Sequence, residues 1–146
     1  METTEITNEM EPVKRPTFLT VVCVLTFISA GIGCFFSLFT PLFADTFIEF
    51  LHNSPNYDEA QMADTIKVLQ AGWGYYAPSF LLALGSLAGA MLMWKLKKIG
   101  FHFYTACNLA LVFLPTLVLG LPVSWFGIVV TAAFIVMYAV NLKHMA

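Results

Sequence analysis

The chain has 146 residues, 59% of them hydrophobic and only 11% charged, with a formal net charge of −2. A soluble domain averages about 45–50% apolar and about 25% charged residues, so an ordinary soluble globule is excluded. The net charge is too small to argue for a nucleic-acid partner.

Residues 1–11 carry four glutamates, no basic residue and little apolar content. Such a segment cannot bury enough apolar surface to order itself, so residues 1–16 are expected to form a disordered tail. Lys14-Arg15-Pro16 then leads into an apolar run, Thr17 to Phe39. That run exceeds the roughly 7–15 residues of a signal-peptide core, and no A-x-A cleavage site follows it. A lipoprotein site at Cys34 is also disfavoured, because Gly31-Ile32-Gly33 lacks a large aliphatic residue three positions earlier. An uncleaved first membrane helix is the expectation.

A spanning helix needs about 20 mostly apolar residues to cross about 30 Å of hydrocarbon. Four stretches qualify: about 17–39, 74–94, 101–119 and 123–141, and none contains Asp, Glu, Lys or Arg. Backbone groups in hydrocarbon must pair within their own segment, so long apolar runs read as helices. The predicted fold is all-α, an integral membrane four-helix bundle spanning residues 17–146. Lys14 and Arg15 precede the first span, Lys95, Lys97 and Lys98 lie between the second and third, and Lys143 follows the fourth. By the positive-inside rule both termini and the lysine turn are cytoplasmic. Lys67 alone among the basic residues falls on the other side, with Asp45, Glu49, Asp58, Glu59 and Asp64.

The connections differ in length. Lys95–Gly100 allows a tight turn with Gly100 as a helix C′ residue, and Gly120-Leu121-Pro122 is shorter still. The second, third and fourth spans should therefore be sequential antiparallel neighbours. Residues 42–72 make a longer extracytoplasmic segment. Within it, Phe47, Ile48 and Leu51 recur at helical spacing, Asn53-Ser54-Pro55-Asn56 supplies turn chemistry, and Met62, Ile66 and Leu69 mark an amphipathic helix from Asp58. That helix either caps the bundle or offers a surface to lipid or a partner.

Two spans carry small residues at i, i+4 spacing: Ser29, Gly33 and Ser37 in the first, Gly85 and Gly89 in the second. Such faces let helix backbones approach closely. The simplest expectation is that these two spans pack on each other; the sharper one is a homodimer through Gly85 and Gly89. In the third span His102, Thr105 and Asn108 form a polar stripe, with Asn108 near mid-depth. It serves either hydrogen bonding to a neighbouring helix or a ligand or proton path. Pro115 should kink the third span, whereas Pro78 lies in the first turns of the second, where it is better tolerated. Trp73, Tyr75 and Tyr76 at one end of the second span and Trp94 at the other match interfacial aromatic belts, and Trp125 repeats the anchor on the fourth.

Intramembrane charges, which usually mark ion or proton pathways, are absent from the spans. So are the H-E-x-x-H, G-x-S-x-G and phosphate-loop motifs. Cys23, Cys34 and Cys107 lie in apolar stretches without C-x-x-C or metal spacing and read as small buried hydrophobes. No enzyme activity, cofactor or metal is expected.

Lys14-Arg15-Pro16-Thr17-Phe18-Leu19-Thr20-Val21, continuing through Cys23-Val24-Leu25-Thr26-Phe27-Ile28, resembles the start of a group of small, uncharacterised four-helix membrane proteins of Bacteroidota. The resemblance covers the first span and the general layout. It implies a bacterial cytoplasmic (inner) membrane and brings no activity or site residues. The expected role is a non-enzymatic accessory or assembly component, in contact with lipid and with a protein partner or a second copy. The alternative is a small transporter or channel subunit, acting as an oligomer, with a pore lined by His102, Thr105, Asn108 and Thr131.

Overall fold

The computed structural model describes residues 14–145. Most of the expected tail, residues 1–13, lies outside them. Five α-helices follow one another: α1 (Thr17–His52), α2 (Glu59–Leu69), α3 (Trp73–Trp94), α4 (Ile99–Leu119) and α5 (Trp125–Asn141), with a final 3-10 turn at Leu142–His144. All except α2 are long and apolar enough to cross a membrane, which makes the chain a multi-pass membrane protein in contact with lipid.

The helix boundaries follow local chemistry. Asp58 caps α2 by accepting a hydrogen bond from the Ala60 N–H at 3.0 Å, and Ser124 caps α5 by accepting from the Gly127 N–H at 3.1 Å; each satisfies a backbone donor that the first helical turn leaves orphaned. Gly120 ends α4 in the left-handed region at φ 65°. Its N–H reaches the Thr116 carbonyl at 3.1 Å, the single 5→1 closure of an αL glycine cap.

Three expectations are corrected. α1 does not stop before Thr40-Pro41 but continues to His52, so Asp45–Leu51 is its far end and not a separate helix. A proline inside a helix removes a single backbone donor, and α1 absorbs that loss and continues on its far side. Gly100 is not a C′ residue either: it lies in the first turn of α4, and Leu96 takes the left-handed conformation at φ 59°. A side chain at Gly100 would place its Cβ 2.6 Å from the Gly89 carbonyl oxygen, so close approach of α3 and α4 is what requires glycine there. The third correction concerns Gly85 and Gly89, which face α4 and not α1. A Cβ on Gly89 would lie 2.8 Å from the Tyr104 nitrogen, and one on Gly85 would lie 2.6 Å from the Cys107 sulfur.

α3 is the central helix, packed against α1 on one side and α4 on the other, while α5 touches α4 and α1. α3 stays buried on one face from Tyr76 to Met93, while the tightest cluster lies at the end bearing the lysine turn. There Leu19, Val22 and Cys23 of α1 meet Met93, Tyr104 and Tyr138 in one buried cluster. α1 buries nothing beyond Ala30, and α5 buries only Tyr138 and Asn141. Towards α2 the helices stand apart, and that opening positions the candidate site.

Candidate functional site

The opening is a crevice between α1 and α3 with one wall from α4. Its deep part, about 250 Å³, is bordered by Ser29, Gly33 and Ser37 of α1, by Ser79, Ala83 and Ser86 of α3, and by Asn108 and Leu111 of α4. A wider part of about 490 Å³ continues towards α2, where Thr40, Thr65, Tyr75 and Tyr76 join the wall. Gly33, Ser37, Ser79 and Leu111 border both parts, so the two are one feature.

Small side chains explain why it exists. A Cβ added at Gly33 would sit 4.0 Å from Cβ of Ala83, so the small residues there leave room between α1 and α3. The serines on either side are too short to fill the space left when the helices diverge. They line it with hydroxyls instead. Ser79 donates to the Tyr75 carbonyl at 2.8 Å, which keeps the oxygen itself free to accept. Tyr76 donates to the Val68 carbonyl at 3.0 Å, tying the end of α2 over the wide part as a roof.

Asn108 holds the deep end. Its Nδ2 donates to Ser86 Oγ at 2.8 Å and to the Tyr104 carbonyl at 2.9 Å. The first bond joins α4 to α3; the second uses its own helix to fix the rotamer. Of the polar stripe, only Asn108 reaches the crevice. His102 is exposed beside Phe101, and the Thr105 hydroxyl is buried without a partner. Thr131 is half-buried on α5 and borders neither part of the crevice. The structure therefore does not gather His102, Thr105, Asn108 and Thr131 around one passage.

Below the crevice the bundle is shut. Thr26 and Tyr138 hydroxyls lie 2.7 Å apart, Tyr138 donates to the Val22 carbonyl at 3.3 Å, and the Tyr104 ring meets the Tyr138 ring edge-on at 4.9 Å. This tie between α1 and α5 is absent from the sequence reading. Tyr138 lies three residues from the end of the fourth span, where a tyrosine reads as an interfacial anchor and not as an inter-helix tie. The Arg15 guanidinium stacks 4.2 Å over the Trp94 ring, bringing two topology anchors from different spans together at this end. Lys14, Lys95, Lys97 and Lys98 are exposed around it, and Trp73 is exposed at the opposite end.

The three cysteines are free thiols; Cys23 is buried, Cys34 and Cys107 half-buried. No group of three His, Cys, Asp or Glu side chains is placed to hold a metal among the described residues. Neither part of the crevice is bordered by an Asp, Glu, Lys, Arg or His side chain, so the site accepts and donates neutral hydrogen bonds through its hydroxyls and the Asn108 amide. Comparison with protein families, with curated proteins and with solved structures finds no match.

Proposed function

We propose that the chain is a non-enzymatic accessory protein of a bacterial cytoplasmic membrane, and that the crevice is where it takes hold of another component of the same bilayer. One observation carries this reading: the bundle is closed by a buried core at the lysine end and open between α1 and α3 at the other. A pore needs a path through both ends, whereas a half-open crevice suits an occupant that enters and leaves from the side. The proposed orientation puts the lysine end and both termini in the cytoplasm, because basic residues cluster there. α2 with its acids then lies outside.

Purification from the native membrane in mild detergent tests the role. Wild type is expected to retain a component, lipid or protein, that Ser37→Phe, which fills the crevice, fails to retain. Solute flux in liposomes that depends on Asn108 would overturn the reading in favour of transport. Orientation is tested separately with a reporter inserted after Gln61, which is expected to behave as extracytoplasmic.

A further inference from the structure

An apolar groove lies on the neighbouring face of α1. It holds about 250 Å³ and is walled by Phe35, Phe36, Phe39, Phe43 and Phe47, with Leu69 of α2 closing one side. Phe39, Phe43 and Phe47 recur at i, i+4 and i+8, so they form a straight row along one helix face. Phe36 and Thr40 of α1 and Leu69 of α2 border both this groove and the wide part of the crevice. A hydroxyl-lined hollow and a phenylalanine-lined one thus adjoin across a single turn of helix.

Resting on the reading of the crevice as a site for a bilayer component, we propose that the occupant is one neutral lipid alcohol, with diacylglycerol as its type. The alcohol head sits among Ser37, Thr40 and Ser79, and an acyl chain follows the phenylalanine row. Three observations select this chemistry.

The first is position. Measured from Thr17, Phe43 stands about 39 Å and Phe47 about 45 Å along α1 at about 1.5 Å per residue. Roughly 30 Å of hydrocarbon would leave both rings beyond the acyl chains around an upright helix, yet each is 57% exposed. Apolar surface at that height is covered by a chain that the protein itself holds. The second is charge. With no ionic side chain bordering either hollow, a phosphate head would be desolvated without a counter-ion, at a cost a neutral head avoids.

The third is hydrogen-bond polarity. Pro41 and Pro115 lie inside α1 and α4. Having no N–H, they take away the i+4 donors of the Ser37 and Leu111 carbonyls, and both of those residues border the crevice. Ser79 Oγ, whose proton goes to the Tyr75 carbonyl, is left as an acceptor, while the Ser37 and Thr40 hydroxyls both donate and accept, so the match is a head that does both. An alcohol does both; an ester, ether or quinone head only accepts.

The test uses the purified full-length protein in detergent, incubated with radiolabelled dioleoylglycerol, its 3-O-methyl ether, or dioleoylphosphatidylglycerol, and counts lipid retained after gel filtration. Dioleoylglycerol is expected to be held at one molecule per chain, with the methyl ether and the phosphatidylglycerol each about tenfold weaker, a gap of about 1.4 kcal/mol. The double variant Phe43→Ala/Phe47→Ala should lose about tenfold in retention. Thr40→Val, which keeps the shape and removes one hydroxyl, should weaken the alcohol more than the methyl ether, so a folding defect in the first variant leaves the second as a readout. Equal retention of all three lipids, or retention unchanged in both variants, overturns the proposal. If no lipid is held but a protein co-purifies with wild type and not with Ser37→Phe, the lipid inference fails and the accessory reading stands. If Ser37→Phe changes nothing that co-purifies, both fail.

Discussion

Glycine has opposite meanings at two positions of this chain, and the difference lies in what a methyl group would meet. At Gly89 the added carbon would fall 2.8 Å from the Tyr104 nitrogen and 3.0 Å from the Gly100 carbonyl oxygen. Both are backbone atoms of a packed helix and cannot swing away, so Gly89→Ala must push α3 and α4 apart. At Gly33 the nearest atom is a Cβ at 4.0 Å, an ordinary contact. In membranes, helix association rests on packing and not on a hydrophobic drive, so a lost close approach is felt directly. Gly89→Ala is expected to destabilise the protein by about 1–3 kcal/mol, and Gly33→Ala to change stability by less than about 0.5 kcal/mol. Detergent unfolding followed by tryptophan fluorescence measures both; equal effects would refute the assignment of Gly89 to the tight contact. Spacing alone announced that these glycines pack, but not against which helix. The i, i+4 pattern describes one surface, and the partner surface depends on where Gly100 falls in the next helix.

At the scale of elements, the legible features were those written in local chemistry. Long uncharged runs gave four helices, Asp58 gave the start of α2, and Gly120 its turn. The continuation of α1 through Pro41 was illegible for an equally physical reason: proline reads as a stop in water, where the freed carbonyl has solvent and the chain has other conformations to adopt. The cost inside a helix is a single backbone bond, and α1 keeps its helical path on both sides of Pro41 over 36 residues. The crevice was illegible too, because it arises from divergence of helices whose small residues read equally well as a closed seam. α2 itself is held lightly. It buries only Leu69 and is tied to α3 by the Tyr76 bond to the Val68 carbonyl. Asp58→Ala removes its cap, worth about 1 kcal/mol, and so should fray α2 without unfolding the bundle. Limited proteolysis is expected to cut faster between residues 53 and 69 while the unfolding midpoint stays put; a matching fall in the midpoint would mean that α2 holds the bundle together.

Taken whole, the molecule divides along its length into a closed half and an open half, and stability and recognition fall to different halves. Met93 and Tyr138 are fully buried at the lysine end, whereas Leu117, towards the other end of α4, is 80% exposed. Met93→Ala would cost about 2–5 kcal/mol in a water-soluble core, from lost transfer energy and an unfilled cavity. In a bilayer the transfer part nearly vanishes, since a methionine released from the core meets lipid tails of similar polarity. What remains is the cavity, in a cluster already braced by the Thr26–Tyr138 bond and the Arg15–Trp94 stack. The expected loss for Met93→Ala is therefore about 2 kcal/mol, at the lower edge of that range. Leu117→Ala exchanges one lipid-facing surface for another and should stay within about 0.5 kcal/mol. The same pair separates the two halves functionally: Met93→Ala should lower the unfolding midpoint while leaving the crevice's retained component unchanged below that midpoint. Ser37→Phe should do the reverse. Were Met93→Ala to release the component at temperatures where the protein is still folded, the closed half would have to shape the crevice, and the division into a brace and a binding half would fail.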